Sequence, residues 1–413
     1  MLHKILKKLS LIFDNYKPQF CAPPSLLQVE LTSRCNLNCA MCARSHGLTR
    51  KTGDMDLDLF KEVVTQSTHY KMPIGWFHHF GETLLYPHLE EALVYFNEHG
   101  IGYGGVSTNA ILLNKEKREI LINNAKHVLC DVDSMYPEAY RKIRNNDNHE
   151  KILSNVKYFI EERKKSNSNC EITIQFLRTE FNNDEEITGM MDFFGYHPYV
   201  KYMEKGTVKH PRGGDITVYR GANILDNRHD CCMCKSQLCI LNSGEAVACC
   251  WDANGEQIIG DIKKETLAEI WRGKRHTAMQ AALANNDFSL LPLCARCAGP
   301  GIGDRERVLE QVNIYQEHWK YENGRIIFAP AGEYMQTLLS SSNLHRLGSR
   351  LFLLEENSSM EKDAPIPTIR KENIMPNDTI FLHSPFDCSK LYFDLQSLKS
   401  QGTKIIVIGS FIS

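Results

Sequence analysis

Cys35, Cys39 and Cys42 stand in the run Glu30-Leu-Thr-Ser-Arg-Cys35-Asn-Leu-Asn-Cys39-Ala-Met-Cys42, directly after a strand candidate at Leu27–Thr32. The spacing is C-x3-C-x2-C. Three thiolates this close on one loop can wrap a [4Fe–4S] cube and ligate three of its irons. The fourth iron then lacks a protein ligand. An open coordination position is what separates a catalytic metal site from a closed structural one. The alternatives are buried packing cysteines or a zinc site, for which His46 is near enough to be a fourth ligand.

The surrounding pattern predicts the scaffold that carries this loop. From 27 to 204, short apolar runs alternate with amphipathic stretches. The strand candidates are Leu27–Thr32, Ile74–Phe80, Ile101–Ser107, His127–Asp133, Glu171–Leu177 and Tyr199–Met203. Asp56–Gln66 places Leu57, Phe60 and Val63/Val64 on one helical face behind an Asp cap. Pro87–His99 does the same with Leu89, Leu93 and Phe96, with Pro at its start and Gly100 at its end. Further helices are expected at 115–124, 150–165 and 184–194. Six βα units in series predict an α/β fold with a parallel sheet, open or curled as a partial barrel, with function at the carboxyl ends of its strands. Gly100-Ile-Gly102-Tyr-Gly104-Gly105 matches G-x-G-x-x-G but follows a helix and leads into a strand, so it reads as a helix end rather than a dinucleotide site.

With these elements in place, ELTSRCNLNCAMCARS resembles the signature loop of the radical S-adenosylmethionine (SAM) superfamily. The resemblance implies a partial (β/α)6 TIM-like barrel. It implies that SAM chelates the open iron, that one electron cleaves it, and that the resulting 5′-deoxyadenosyl radical takes a hydrogen atom from the substrate. His79-Phe80-Gly81-Glu82 is similar to the family's GGE motif, which contacts the SAM amino group, although Phe80 stands near where Gly is common and Thr83 where Pro often follows. Ser107-Thr108-Asn109 is similar to the S-T-N-G segment near SAM, with Ala110 in place of Gly. Asp131 and Asp133 end the fourth strand candidate, and Gln175 on the fifth is placed to reach the SAM ribose. The candidate cofactor-binding residues are therefore Gly81, Glu82, Ser107, Asn109, Asp133 and Gln175, with capping or solvated loop ends the ordinary alternative for Asp133 and Gln175.

A second cysteine group reads CCMCKSQLCILNSGEAVACC over 231–250, and Leu293-Cys294-Ala-Arg-Cys297 follows. Gly244-x4-Cys249, the stretch IGDIKKETLAEIWRG and the final C-x2-C resemble the SPASM/twitch extension of radical SAM enzymes. The resemblance implies an auxiliary [4Fe–4S] cluster on Cys249, Cys294 and Cys297, with Cys231, Cys232 or Cys234 as the first ligand. Only Cys388 remains downstream, which limits the site to one auxiliary cluster. Cys231-x2-Cys234 with Cys294-x2-Cys297 is also the all-cysteine zinc pattern. Cys239 and Cys250 read as packing residues. The expected layout is an N-terminal segment 1–25, the barrel at 26–212, the auxiliary domain at 213–303, and a C-terminal α/β extension at 304–413 of unassigned role. Within the extension, Thr379–His383, Ser389–Ser400 and Lys404–Ile408 form a βαβ pattern.

Relatives with such an extension oxidise aminocyclitols and sugars or mature peptides. About 25 residues precede the first strand and hold no recognisable peptide-binding domain, which favours a small-molecule or sugar substrate over a peptide or protein. The resemblance also implies a reductant such as a flavodoxin or ferredoxin. A non-catalytic iron–sulfur or zinc protein is the reading from another class, and it has no need of Gly81-Glu82. Glu204, Lys205, His210 and Arg212 are candidates for substrate contact or for a solvated linker. Lys and Arg total 48 against 50 Asp and Glu, a net charge of −2 that argues against a general nucleic-acid binder. No run of 18 apolar residues predicts a membrane span, although residues 2–13 fit a short basic amphipathic helix. Clustered cysteines without a secretory signal predict a reducing, cytoplasmic compartment.

Overall fold

The computed structural model describes residues 24, 26–179, 181–183, 185–206, 231–297, 324–329, 350–355, 366–382 and 389–407. The helix expected at 2–13, the substrate candidates His210 and Arg212, Cys21, Cys388 and the Cys232 side chain lie outside the described residues, as do the side chains of Glu204 and Lys205. Among the described residues no helix is long and apolar enough to cross a membrane.

The alternating pattern folds as β1 (Leu26–Val29), α1 (Leu57–His69), β2 (Ile74–Trp76), α2 (Leu89–His99), β3 (Gly102–Thr108), α3 (Lys115–Asn124), β4 (His127–Asp131), α4 (Pro137–Arg144), α5 (His149–Lys165), β5 (Glu171–Arg178), α6 (Glu185–Phe194) and β6 (Val200–Gly206). The six strands lie side by side in sequence order, each parallel to the next. Asp56 caps α1 by accepting from the Asp58 and Leu59 N–H groups, satisfying donors that a helix start leaves open. Phe60, Val63 and Val64 of α1 and Leu89, Leu93 and Phe96 of α2 are buried against the sheet residues Leu27, Val29, Val106, Val128 and Ile172. Alternate strand residues face the other way. Register aligns Ser107 with Leu129, Asp131 with Gln175 and Gln175 with Met203 on that second face, at the carboxyl ends of the strands.

Three strand candidates end early, β4 by two residues at Asp131 and the other two for one reason. β1 stops at Val29 and β2 at Trp76 because the chain then leaves the sheet to build loops around the Glu30 carboxylate. The Phe80 N–H donates to Glu30 Oε1 at 3.3 Å. β6 runs longer than expected, to Gly206. α4 was not anticipated, since its eight residues bury only Ala139, Tyr140, Ile143 and Arg144.

The second cysteine region is not a detached unit. It contains α7 (Cys232–Ser236), β7 (Gln237–Ile240), β8 (Glu245–Val247), β9 (Ile258–Asp261), α8 (Leu267–Arg272), α9 (Lys274–Ala284) and α10 (Pro292–Arg296). β7 pairs in parallel with β1, so one nine-stranded sheet runs from β6 through β1 to β9. A Thr266–Glu269 capping box starts α8.

The C-terminal βαβ pattern belongs to a larger sheet. β10 (Ile326–Ala329), β11 (Leu351–Glu355), β12 (Thr368–Arg370), β13 (Thr379–Leu382), α11 (Ser389–Lys399) and β14 (Lys404–Val407) include five parallel strands in the order β12-β11-β10-β13-β14. This is a doubly wound order, reversing between β10 and β13. α11 docks on α6 through one carboxylate. Asp192 Oδ1 accepts from Tyr392 Oη at 2.7 Å and Gln396 Nε2 at 2.6 Å, and Lys399 Nζ lies 3.3 Å from its Oδ2. Phe393 packs on the rings of Tyr196 and Tyr202. Asp192→Ala removes an acceptor shared by three donors, one of them the buried Tyr392 hydroxyl. It should destabilise the docked C-terminal sheet by about 1–2 kcal/mol, seen as faster limited proteolysis of that sheet. An unchanged cleavage rate contradicts this reading of the contact.

Candidate active site

The first cysteine loop hangs between the end of β1 and α4. Leu37 and Cys39 bury their side chains in the core, while Cys35 and Cys42 are half-buried. The Arg44 guanidinium ties the loop together by donating to the carbonyls of Ser33 at 3.2 Å and Leu37 at 3.4 Å. The Ala40 N–H donates to the Ile143 carbonyl at 3.1 Å, anchoring the loop to α4. His46, the candidate fourth zinc ligand, instead turns its Nε2 to the Ala40 carbonyl at 2.5 Å. Burial pushes all three thiols up, Cys39 to about 11 despite the pull of Arg144. A cluster would bind these sulfurs as thiolates, so loading it must release their protons. None of the cysteines with described side chains is in a disulfide. No group of three or more His, Cys, Asp or Glu among the described residues is gathered for a single metal ion, whereas a cubane takes its thiolates at separate irons. The donor set fits a cluster.

Gly81 and Glu82 lie directly against this loop. The Glu82 N–H donates to the Arg34 carbonyl at 2.8 Å. A Cβ on Gly81 would sit 1.9 Å from the Thr32 carbonyl oxygen, so only glycine allows this approach. The Glu82 carboxylate is buried and accepts from the Asn109 N–H at 2.8 Å and the Leu84 N–H at 3.1 Å. Asn109 in turn donates from Nδ2 to Asn36 Oδ1, between two cysteines of the first loop, at 2.9 Å. The signature loop, the Gly81-Glu82 loop and the end of β3 are thus one hydrogen-bonded unit. Ser107 is partly open beside them. Ala110 adopts φ +60°, a left-handed conformation that explains why glycine is favoured at the matching family position.

Asp133 and Gln175 are brought to the same strand ends but face protein partners. Asp133 is fully buried, pairs with Arg144 Nε, and accepts from the Leu177 N–H at 3.1 Å. Gln175 Nε2 donates to Asp131 Oδ1 at 2.5 Å, and Arg144 Nη2 lies 3.3 Å from Asp131 Oδ2. Arg144 also points Nη1 at Cys39 Sγ, 3.7 Å away. Arg144 was not among the sequence candidates. Its helix is short and the residue reads as an ordinary C-terminal cation.

The second group of thiols also converges. Cys234 contacts both Cys231 and Cys294, and Cys249 lies within electrostatic reach of Cys231 and Cys234. The Cys234 contact holds the Cys231 thiol down at about 6 and lowers Cys294 as well, while Cys234 and Cys249 are pushed up. Gln257 fixes one side, donating from Nε2 to Cys294 Sγ at 3.4 Å and accepting from the Leu293 and Cys294 N–H groups. His276 holds the Cys234 carbonyl at 2.9 Å. Cys297 follows one turn later, half-exposed, its N–H donating to the Cys294 carbonyl at 3.2 Å. Cys239 is sealed against Leu241 and Val247, with Cys250 beside them.

The chain matches the family model of the Radical SAM superfamily over residues 29–194 and that of an iron–sulfur cluster-binding domain, SPASM, over 231–298. It is a radical SAM enzyme with a C-terminal SPASM domain, and its cofactors are a [4Fe–4S] cluster with SAM and an auxiliary iron–sulfur cluster. Among curated proteins it is 23% identical over 293 residues, 68% of this chain and 96% of the relative, to the S-adenosyl-L-methionine-dependent 2-deoxy-scyllo-inosamine dehydrogenase of Niallia circulans. It is 34% identical over 91 residues, 22% of this chain and 25% of the relative, to a tungsten-containing aldehyde ferredoxin oxidoreductase cofactor-modifying protein of Pyrococcus furiosus. Among solved structures, BtrN in complex with AdoMet and 2-DOIA matches with 18% identity and TM-score 0.44 over 67% of this chain and 93% of that one.

Burial pushes the Glu82 carboxyl up to about 7, against the pull of its N–H donors. The folded chain therefore holds this proton more tightly than the unfolded chain. The resulting stability is fully present below about pH 4.5 and is lost as pH rises through about 7. Glu82→Gln should flatten the pH dependence of unfolding free energy across this window, by on the order of 3 kcal/mol. Denaturant unfolding of the cluster-free protein at a series of pH values measures it, and an unchanged slope contradicts the assignment.

Proposed function

We propose that the chain dehydrogenates a secondary alcohol of an aminocyclitol or related polyhydroxylated small molecule. The match to the 2-deoxy-scyllo-inosamine dehydrogenase along 96% of that protein carries this reading. In it, Cys35, Cys39 and Cys42 ligate the SAM-binding cluster. Gly81, Glu82, Ser107 and Asn109 receive SAM, with Gln175 and Asp133 shaping the far wall. Cys249, Cys294 and Cys297, with Cys231 or Cys234 as the first ligand, form the auxiliary ligand set.

When bound, the cofactors supply the one-electron cleavage of SAM, the adenosyl radical that takes a carbinol hydrogen atom, and an auxiliary sink for the remaining electron. The chain's own residues do the rest. The glycine contact of Gly81 with Thr32 brings the SAM loop to the cysteine loop at backbone distance. The Glu82 carboxylate, when ionised, would receive the SAM ammonium group. Completing the ketone also requires loss of the hydroxyl proton to a base within hydrogen-bond reach. We assign this role to Asp131, which is partly open at the carboxyl end of β4 and held there by Gln175 and Arg144, whereas Asp133 is fully buried. Oxygen-sensitive clusters and free thiols suit a reducing cytoplasm, with a flavodoxin or ferredoxin as electron donor.

Reduced, iron-reconstituted protein should convert 2-deoxy-scyllo-inosamine to its ketone and form one equivalent of 5′-deoxyadenosine. Turnover of peptides but not of aminocyclitols would overturn the substrate class. The protein should hold about eight irons per chain. Replacing Cys35, Cys39 and Cys42 by Ala should abolish SAM cleavage and leave about four. About four irons in the unsubstituted protein would instead favour zinc at the second site.

A further inference from the structure

Arg144 is a buried guanidinium with three acidic or sulfur neighbours. Its Nε pairs with Asp133, Nη2 lies 3.3 Å from Asp131 Oδ2, and Nη1 lies 3.7 Å from Cys39 Sγ. The residue is held in place. The Ile143 carbonyl accepts from the Ala40 N–H, bonding the end of α4 to the cysteine loop, and Asp133 is itself fixed by the Leu177 N–H. Tyr140, Glu82 and Arg44, with the thiols of Cys35 and Cys42, are the other titratable groups that act on Asp131, Asp133 or the loop cysteines. A rigid cation is thus aimed at the sulfur of Cys39, with two carboxylates behind it.

We propose that Arg144 sets the reduction potential of the cluster ligated through Cys39, making that cluster easier to reduce. This rests on the assignment of Cys39 as a cluster ligand. Potentials of iron–sulfur clusters follow net charge and hydrogen bonds to the sulfurs. An added electron makes the cluster more negative, so a fixed N–H donor and positive charge beside a thiolate stabilise the reduced form more than the oxidised one. The buried carboxylates oppose this. Without Arg144 they would stand unpaired next to the cluster and disfavour reduction further. Arg144 is a positioning residue in this account and need not touch substrate.

The test is an EPR-monitored redox titration of the holoenzyme, following the reduced-cluster signal that changes when SAM is added, since only the cluster with an open iron responds. Arg144→Met should shift the midpoint to more negative potential. The Arg144→Met/Asp133→Asn double variant removes the pair together and should shift it in the same direction by less. Circular dichroism and iron content check folding and loading. Midpoints unchanged or more positive in both loaded variants overturn the proposal. Loss of four irons from both variants with the fold intact also overturns it, in favour of a purely structural anchor. Absence of any SAM-responsive signal in the unsubstituted protein overturns the ligand assignment instead, and the proposal with it.

Discussion

Glu30 is a fully buried carboxylate at the end of the first strand, and the three functional loops are tied to it. Arg50 Nη2 approaches its Oε1 at 2.5 Å, the Phe80 N–H donates to the same oxygen, and the Asn242 N–H donates to Oε2 at 3.1 Å. Burial alone would raise its pKa, but Arg50 and His79 hold it below the usual carboxylate range. An ion pair this deep is weak evidence for net stability, because desolvation offsets most of the attraction. Its effect is arrangement. Without Arg50 the buried charge would lose its ion-pair partner, so the loops that carry Arg50, Phe80 and Asn242 come together around it.

That arrangement joins the two cysteine sites. Arg50, eight residues past Cys42, also donates to Asn242 Oδ1 at 2.7 Å and to the Ala253 carbonyl at 2.5 Å. The Thr49 N–H donates to Asn254 Oδ1 at 2.7 Å. His79, one residue before the Phe80-Gly81-Glu82 turn, reaches the Cys250 carbonyl at 2.8 Å. With β7 added to the edge of β1, the auxiliary region and the core share both a sheet and a polar seam. The seam fixes the second cysteine region against the loops that carry Cys35, Cys39, Cys42 and Glu82.

Much of this was legible in sequence. Period-3.6 and short apolar runs located all six core strands and most helices, because each helix buries one stripe and each strand is short and apolar. The cysteine spacings and Gly81-Glu82 pointed to the site because local chemistry demands them. Other features were not legible. β10, β11 and β12 are strands of three to five residues whose burial depends on each other, so the sequence showed only β13, α11 and β14. Arg144, Arg50 and Gln257 act through partners tens to hundreds of residues away. The place of Asp133 at a strand end points to a cofactor contact, and the pairing of its carboxylate with Arg144 is seen only in the fold.

The sequence by itself determined which atoms can bind metal and which segments form strands, because ligand type, spacing and hydrophobic period are local properties. Only the tertiary structure decided which thiols meet, that Cys234 touches both Cys231 and Cys294, and that a cation from α4 faces Cys39. It also decided that the auxiliary region continues the core sheet instead of standing apart. Those outcomes depend on which buried charges and strand edges find partners, and a chain specifies that only once it is packed.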